Sequence, residues 1–92
     1  MRADRESVFG DGEFDKALDE LYKLPNWKEA VDVLGSIGNP FRGFEVAERL
    51  GIESWEVKEI VHFLSRYQMI QTLPAGYRKL AKLNVFLRGV TK

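Results

Sequence analysis

Residues 44–70 have the sequence FEVAERLGIESWEVKEIVHFLSRYQMI, and this stretch decides the fold. Val46, Ala47 and Leu50 are spaced so that they share one face of a helix of about two turns. Gly51 follows directly, in the place where a residue with positive φ commonly ends a helix. A second apolar stripe with helical spacing comes next, formed by Val57, Ile60, Val61 and Leu64. The stretch therefore predicts two short helices joined by a tight turn.

A third helix is needed beneath these two, because a short turn makes them cross steeply and leaves apolar faces that neither covers alone. Residues 27–37 have the periodicity to supply it. Asn26 is predicted to cap its start, with Glu29 as the capping-box partner, and the breaker at residues 38–40 ends it. Ser54 is predicted to cap the last of the three helices in the same way.

The pattern then changes from helical to extended. Residues 69–73 have the composition of a strand, and residues 74–76, Pro-Ala-Gly, are typical of a turn. A returning strand is predicted to about Leu80, followed by an irregular or helical tail. Residues 79–88 also carry leucines at helical spacing, so strand and helix remain alternatives there.

The start of the chain differs from the rest. Residues 1–12 are polar and have no periodicity, which predicts a flexible N-terminal arm. A helix is predicted from Glu13, since an apolar stripe begins there, and Pro25 ends it because proline disfavours helix at the residue before it. Residues 13–92 are predicted to form a single domain.

Composition excludes several classes of function. Ninety-two residues, 45% of them apolar and 30% charged, are typical of one globular domain. The chain has no cysteine, which excludes disulfides and thiolate metal sites. A single histidine and scattered carboxylates make no metal-ligand motif, so neither a metal nor another cofactor is expected. Without a nucleophile motif or a glycine-rich phosphate loop, the protein is predicted not to be an enzyme.

Apolar runs in this chain are only a few residues long, so no membrane-spanning helix is expected. The N-terminal sequence MRADRESVFGDGE lacks the apolar centre of a secretory signal. Both observations lead us to expect a cytoplasmic location.

Charge is distributed unevenly although the net charge is zero. Residues 1–59 hold all 14 acidic side chains and 8 basic ones, a net charge of −6. Residues 60–92 hold 6 basic side chains and no acidic one, a net charge of +6. A basic segment is where a phosphate backbone would dock, but it also serves to keep an exposed hairpin soluble. Both interpretations stay open on charge alone.

The chain resembles the winged helix-turn-helix domains that are common in bacterial and archaeal regulators. The resemblance covers residues 27–80 and lies in Leu50-Gly51-Ile52, followed by Val57, Val61, Leu64 and Ile70. It implies a mainly α fold with a small β-hairpin: a three-helix core, a wing and here an extra N-terminal helix. It also implies a small transcriptional regulator that binds double-stranded DNA. The alternative is a protein-interaction module in a transcription or replication assembly, without direct DNA contact.

The DNA-binding interpretation assigns roles to particular side chains. Phosphate-backbone contacts are expected from the wing and its continuation, at Arg78, Lys79 and Lys82. Base or groove contacts are expected from Trp55, Lys58, His62 and Arg66. The chain departs from the family in two ways: three carboxylates, Glu53, Glu56 and Glu59, lie where phosphates would repel them, and Gln68 stands where glycine is common.

The protein-interaction interpretation uses the same helix differently. Trp55 either packs against Phe41 or Phe44, or anchors a partner on a surface that it forms with the three glutamates. A homodimer is also expected, since the terminal segments carry more apolar side chains than one docking stripe needs. The alternative is that both termini complete one small core.

Overall fold

A computed structural model describes residues 8–90 of the chain. These residues are mainly helical and contain one small antiparallel hairpin, which confirms the predicted fold class at that level. The elements follow in the order α1 (Glu13–Tyr22), α2 (Trp27–Ser36), α3 (Gly43–Leu50), a short 3₁₀ turn (Ser54–Glu56), α4 (Val57–Arg66), β1 (Ile70–Leu73), β2 (Gly76–Lys79) and α5 (Ala81–Val90).

The junction between α3 and α4 forms as its sequence predicts. Gly51 ends α3 with a φ of 68°, and the next N–H, of Ile52, donates to Ala47 O at 3.0 Å. Because L-residues with a side chain adopt this left-handed backbone at a cost, glycine is favoured there. Gln68, between α4 and β1, has a similar φ of 59° although it is not glycine. The left-handed conformation that makes glycine common at this position is therefore present.

Two predicted helix caps are wrong. Asn26 precedes α2 with a φ of 59°, and its side chain makes no capping hydrogen bond. A side-chain cap needs an extended backbone, and the left-handed conformation turns the amide away from the helix start. Ser54 does not cap either, because it is itself the first residue of the 3₁₀ turn. Glu53 precedes that turn, and its N–H donates to Glu56 Oε2 at 2.8 Å.

The segment before α3 pairs with the β2 edge of the hairpin. β1 and β2 pair from Ile70↔Lys79 to Leu73↔Gly76, and on the other side of β2 the backbone of Phe41 exchanges hydrogen bonds with Tyr77 at 2.8 and 2.9 Å. Asn39 continues this edge, since its Oδ1 accepts from Lys79 N at 2.8 Å. The order across the hairpin is therefore Phe41, β2, β1.

The strand and helix alternatives for residues 79–88 are both realised in part. β2 ends at Lys79, and α5 begins at Ala81. Between them Leu80 N donates to Met69 O at 3.1 Å, which closes the hairpin before the helix starts. The leucine spacing therefore belongs to a helix, and the tail is helical rather than irregular.

Aromatic rings from both ends of the chain meet in the core. Phe86 on α5 lies 5.5 Å from the ring of Phe14, 5.9 Å from Phe63 and 6.1 Å from Phe9. Phe9 is buried although it falls within the predicted arm of residues 1–12, so packed structure begins before α1. Residues 1–7 of that arm lie outside the described residues.

α5 also accounts for the apolar surplus near the C-terminus. Val85, Phe86 and Leu87 are all buried within one chain. Their burial supports the alternative in which the terminal segments complete a single core. The predicted homodimer therefore stays a prediction and no longer has these side chains as its support.

Gly89 on α5 leaves room for a core ring. A Cβ added at Gly89 would lie 2.5 Å from Phe14 Cζ, whereas a Cβ at Gly35 on α2 would meet nothing within 4 Å. Both substitutions by alanine gain about 0.5–1 kcal/mol of helix propensity. Overpacking costs about 1–3 kcal/mol, so we expect Gly89→Ala to lower the free energy of unfolding by about 1 kcal/mol.

Gly35→Ala is the matched control and is expected to raise the free energy of unfolding. Urea denaturation followed by circular dichroism measures both variants. Stabilisation by Gly89→Ala equal to that by Gly35→Ala would mean that Phe14 does not pack against α5 as described.

Candidate binding surface

The packed unit of α3, the 3₁₀ turn and α4 exposes aromatic side chains and carboxylates. We use the name α3–α4 face for a set of these exposed side chains, which come from α3, from the 3₁₀ turn and the residue before it, and from the first half of α4. Its members are Phe44, Glu48, Glu53, Trp55, Lys58, Glu59 and His62. α3 packs against both the 3₁₀ turn and α4, so one rigid unit carries all of them.

Trp55 is the most exposed large hydrophobic side chain among the described residues, at 67%. Its packing alternative is not borne out, since the ring of Phe41 is buried and lies 5.6 Å from that of Tyr77 instead. Phe44, the other proposed partner, is itself 54% exposed. Within residues 8–90 Trp55 makes no aromatic contact. Its indole is therefore available to a ligand.

Phe44 is a member of this surface that the sequence did not single out as a binding residue. It lies on α3 next to the buried Val46 and Ala47, but on the solvent side. A signal was present, because Phe44 falls outside the apolar stripe of its helix. The α3–turn–α4 unit therefore exposes two large aromatic side chains, Phe44 and Trp55.

The carboxylates of this region are only partly engaged. Residues 43–59 contain five glutamates against Arg49 and Lys58, a net charge of −3. Glu45 and Glu56 each accept a backbone N–H at the start of their own turn, at 2.7 and 2.8 Å. Glu48 and Glu59 have no hydrogen-bond or ion-pair partner in the described part of the chain, whereas the Glu53 side chain takes part in a capping box with the backbone N–H of Glu56. The α3–α4 face is therefore acidic around its aromatic side chains.

Arg66, which is predicted to contact DNA, forms an ion pair within the chain. Its guanidinium pairs with the Glu20 carboxylate on α1, and Tyr67 donates its hydroxyl proton to the same carboxylate. Burial, followed by this hydrogen bond and the carboxylate charge, raises the pKa of Tyr67 to about 12. The three side chains join α1 to the end of α4.

Lys79 has a structural role at the end of α2. Its Nζ donates to Leu34 O at 2.9 Å and to Ile37 O at 2.7 Å, which satisfies carbonyls that the helix leaves unpaired. Burial lowers the pKa of this ammonium group.

Lys82 is also engaged, since its Nζ lies 3.2 Å from Glu13 Oε1 and 4.9 Å from the centre of the Phe9 ring. A Lys82 contact to a phosphate would compete with both.

The remaining predicted contact residues are exposed. Lys58 and His62 on α4 have no partner among residues 8–90. Trp55 lies in the 3₁₀ turn directly before that helix. Arg78 is exposed on β2 and donates to Gln71 Oε1 at 3.1 Å. Trp55, Lys58 and His62 are thus brought onto one surface, whereas Arg78 lies on the hairpin.

A groove beside the hairpin turn was not predicted from the sequence. It has a volume of about 480 Å³ and is lined by Pro40, Phe41, Arg42, Glu45, Leu73, Pro74, Ala75 and Gly76. Three separate segments supply its walls, so no local pattern signals it. Gly76 is required there, because a Cβ would lie 2.5 Å from Phe41 O.

Among the residues that the structure covers, no group of three or more His, Asp or Glu side chains is placed to hold a metal ion. None of the helices in the same range has the length and apolarity needed to cross a bilayer. The cytoplasmic location stays a prediction.

Comparison with known proteins yields no match: no family model, no curated protein and no solved structure matches the chain. The resemblance to winged helix-turn-helix domains accordingly stays a prediction.

The raised pKa of Tyr67 predicts that the folded protein loses stability in alkaline solution. Its folded pKa of about 12 exceeds the ordinary 10.0, so the folded state holds its proton more tightly than the unfolded state. The resulting stabilisation, on the order of 2 kcal/mol, is fully present below pH 10 and lost as pH rises towards 12. Urea denaturation at a series of pH values measures it.

Tyr67→Phe is the control, because it leaves the Lys79 ammonium and the other alkaline groups unchanged. The variant should lose the part of the pH dependence that comes from Tyr67. An identical decline in both proteins between pH 10 and 12 would contradict the raised pKa.

Proposed function

We propose that this chain is a winged helix-turn-helix domain that binds a protein partner through its α3–α4 face. In this assignment α3 and α4 are the helix-turn-helix, α2 is the third helix of the core, and the β1–β2 hairpin is the wing. The order Phe41, β2, β1 across the hairpin supports it, as does the left-handed Gly51 between the helices. α1 and α5 are additions that enlarge the core.

The observation that carries the functional proposal is the exposure of Trp55 at the start of the second helix. Tryptophan is among the residues most enriched in interface hot spots, because a large ring can be desolvated with little loss of side-chain entropy. The Trp55 side chain is 67% exposed and its indole makes no hydrogen bond within residues 8–90, and Phe44 adds a second exposed ring. A protein partner gives both rings the apolar contact that they lack here.

The charges of this surface favour a protein over DNA. A DNA-binding face makes about 6–10 phosphate contacts in well-studied cases. Three of the cations predicted for that role already bind carboxylates or helix carbonyls of this chain: Arg66, Lys79 and Lys82. Glu53 and Glu59 form no ion pair within residues 8–90, so both carboxylates of this face would repel phosphates.

DNA binding is the second candidate, because free cations remain for it. Arg78 is exposed on the hairpin, and Lys58 and His62 are exposed on α4. Residues 60–92 contain no carboxylate side chain, so the segment that includes the hairpin has no acidic group of its own to repel a duplex. In this version the protein is a small transcriptional regulator with few phosphate contacts.

A peptide selection tests the first candidate. Random linear peptides displayed on phage are selected on the immobilised full chain and depleted on the Trp55→Ala variant. We expect enriched peptides that bind the wild-type chain and lose most of their affinity for the variant. Failure to enrich any Trp55-dependent peptide, with both proteins folded by circular dichroism, would overturn the proposal.

A DNA titration tests the second candidate. Anisotropy of a labelled duplex of mixed sequence is expected to give only non-specific affinity, with a Kd of about 10⁻⁴–10⁻⁶ M at physiological salt. Much tighter binding, with a salt dependence reduced by Lys58→Ala and Arg78→Ala but not by Arg88→Ala, would favour DNA instead. Arg88 is a suitable control because it is an exposed cation on α5.

A further inference from the structure

We infer that the segment bound by the α3–α4 face is basic and places an arginine or lysine side chain against Trp55. This inference rests on the proposed protein-binding function and adds the chemistry of the partner. The observation that supports it is the group of carboxylates close to Trp55 in the chain, in addition to the exposed ring itself.

Carboxylates lie on both sides of Trp55 along the chain. Glu53 precedes the 3₁₀ turn and Glu56 ends it, while Glu59 lies one turn into α4. Glu53 and Glu56 each use their side chain in a capping box with the backbone N–H of the other, and Glu59 has no partner among residues 8–90. An acidic partner would meet three negative charges beside its aromatic contact, with Lys58 as the one nearby cation on these turns.

Cationic side chains match both parts of this surface. A guanidinium or ammonium group is attracted to the face of an indole, and arginine can also form two parallel hydrogen bonds with a carboxylate. One arginine can therefore contact the Trp55 ring and pair with Glu53 or Glu59. A purely apolar partner segment would cover Trp55 and Phe44 but would desolvate the unpaired carboxylates without compensation, which is costly.

The structure offers a precedent for this contact within the same chain. Lys82 places its ammonium group 4.9 Å from the centre of the Phe9 ring and also pairs with Glu13. That combination of ring, cation and carboxylate is the arrangement that we assign to Trp55 and its partner. The difference is that the cation at Trp55 must come from another molecule.

The experiment measures the composition of peptides selected on the wild-type chain and depleted on Trp55→Ala. We expect arginine and lysine to be enriched over aspartate and glutamate in the selected peptides. For individual peptides the Kd should rise about three- to tenfold with the double variant Glu53→Gln/Glu59→Gln, as two exposed ion pairs are lost. Added salt should weaken binding to the wild-type chain more than to this variant.

Asp15→Asn/Asp19→Asn is the matched control, since it removes the same charge from the exposed side of α1. It should leave the Kd within about twofold of the wild-type value, because exposed charges far from a contact are screened. Trp55-dependent peptides that are neutral or acidic, or that bind both double variants equally, would overturn the basic-partner inference and leave the proposed function standing. A lack of any Trp55-dependent peptide would overturn both.

Discussion

Phe86→Ala is expected to lower the free energy of unfolding by about 3–5 kcal/mol. Phe86 is 1% exposed, and its ring contacts those of Phe9, Phe14 and Phe63. Removing it opens a cavity among rings that come from three separate parts of the chain. Because small domains are stable by only about 5–15 kcal/mol, the variant should be close to unfolding at room temperature.

Phe44→Ala is the control for Phe86→Ala, since it is the same chemical change at a side chain that is 54% exposed. We expect it to change the free energy of unfolding by no more than about 1 kcal/mol. Urea denaturation of both variants, followed by circular dichroism, measures the difference. Equal effects of the two substitutions would mean that α5 does not dock on the aromatic core.

The α3–turn–α4 unit was predictable because its information is local. The spacing of Val46, Ala47 and Leu50 defines one buried face, and Gly51 supplies the backbone conformation that ends the helix. The turn at residues 74–76 likewise marks the hairpin within a few residues. Such features depend on neighbours in the sequence, so a single chain is enough to find them.

The side-chain caps of the helices and the burial of Phe9 were not predictable in the same way. Asn26 has a residue type that favours capping, but capping depends on its backbone conformation, which is left-handed here. Phe9 is one aromatic side chain in a polar segment, with no periodicity to indicate burial. Its place in the core is decided by Phe14 and Phe86, and Phe86 lies at the other end of the chain.

The candidate surface depended even more on distant contacts. The sequence shows that Arg66 and Lys82 are cationic, but not that their partners are Glu20 and Glu13 on α1. Lys79 is a similar case, because its partners are backbone carbonyls, which have no sequence signal. Once these cations are paired, the exposed ring of Trp55 becomes the more informative feature of the α3–α4 unit.

Trp55→Ala is expected to weaken binding of the selected peptides by at least about 30-fold, a loss of about 2 kcal/mol that is typical of a hot-spot tryptophan. The free energy of unfolding should change by no more than about 0.5 kcal/mol, because Trp55 makes no core contact. Isothermal titration calorimetry measures the affinity and urea denaturation the stability. A binding loss that accompanies a large loss of stability would indicate misfolding instead of a lost anchor.

Tyr22→Ala separates an anchor from a general effect of surface aromatic rings. Tyr22 is 50% exposed, but it lies on α1, where its ring centre is 4.8 Å from that of Trp27 in a tilted contact. We expect this variant to bind the same peptides with nearly the wild-type Kd. If Tyr22→Ala weakened binding as much as Trp55→Ala does, the peptides would be held by dispersed apolar contacts, and Trp55 would lose its assigned role. A difference of an order of magnitude between the two variants would place the binding energy on the α3–α4 face, where the unpaired carboxylates can select the partner.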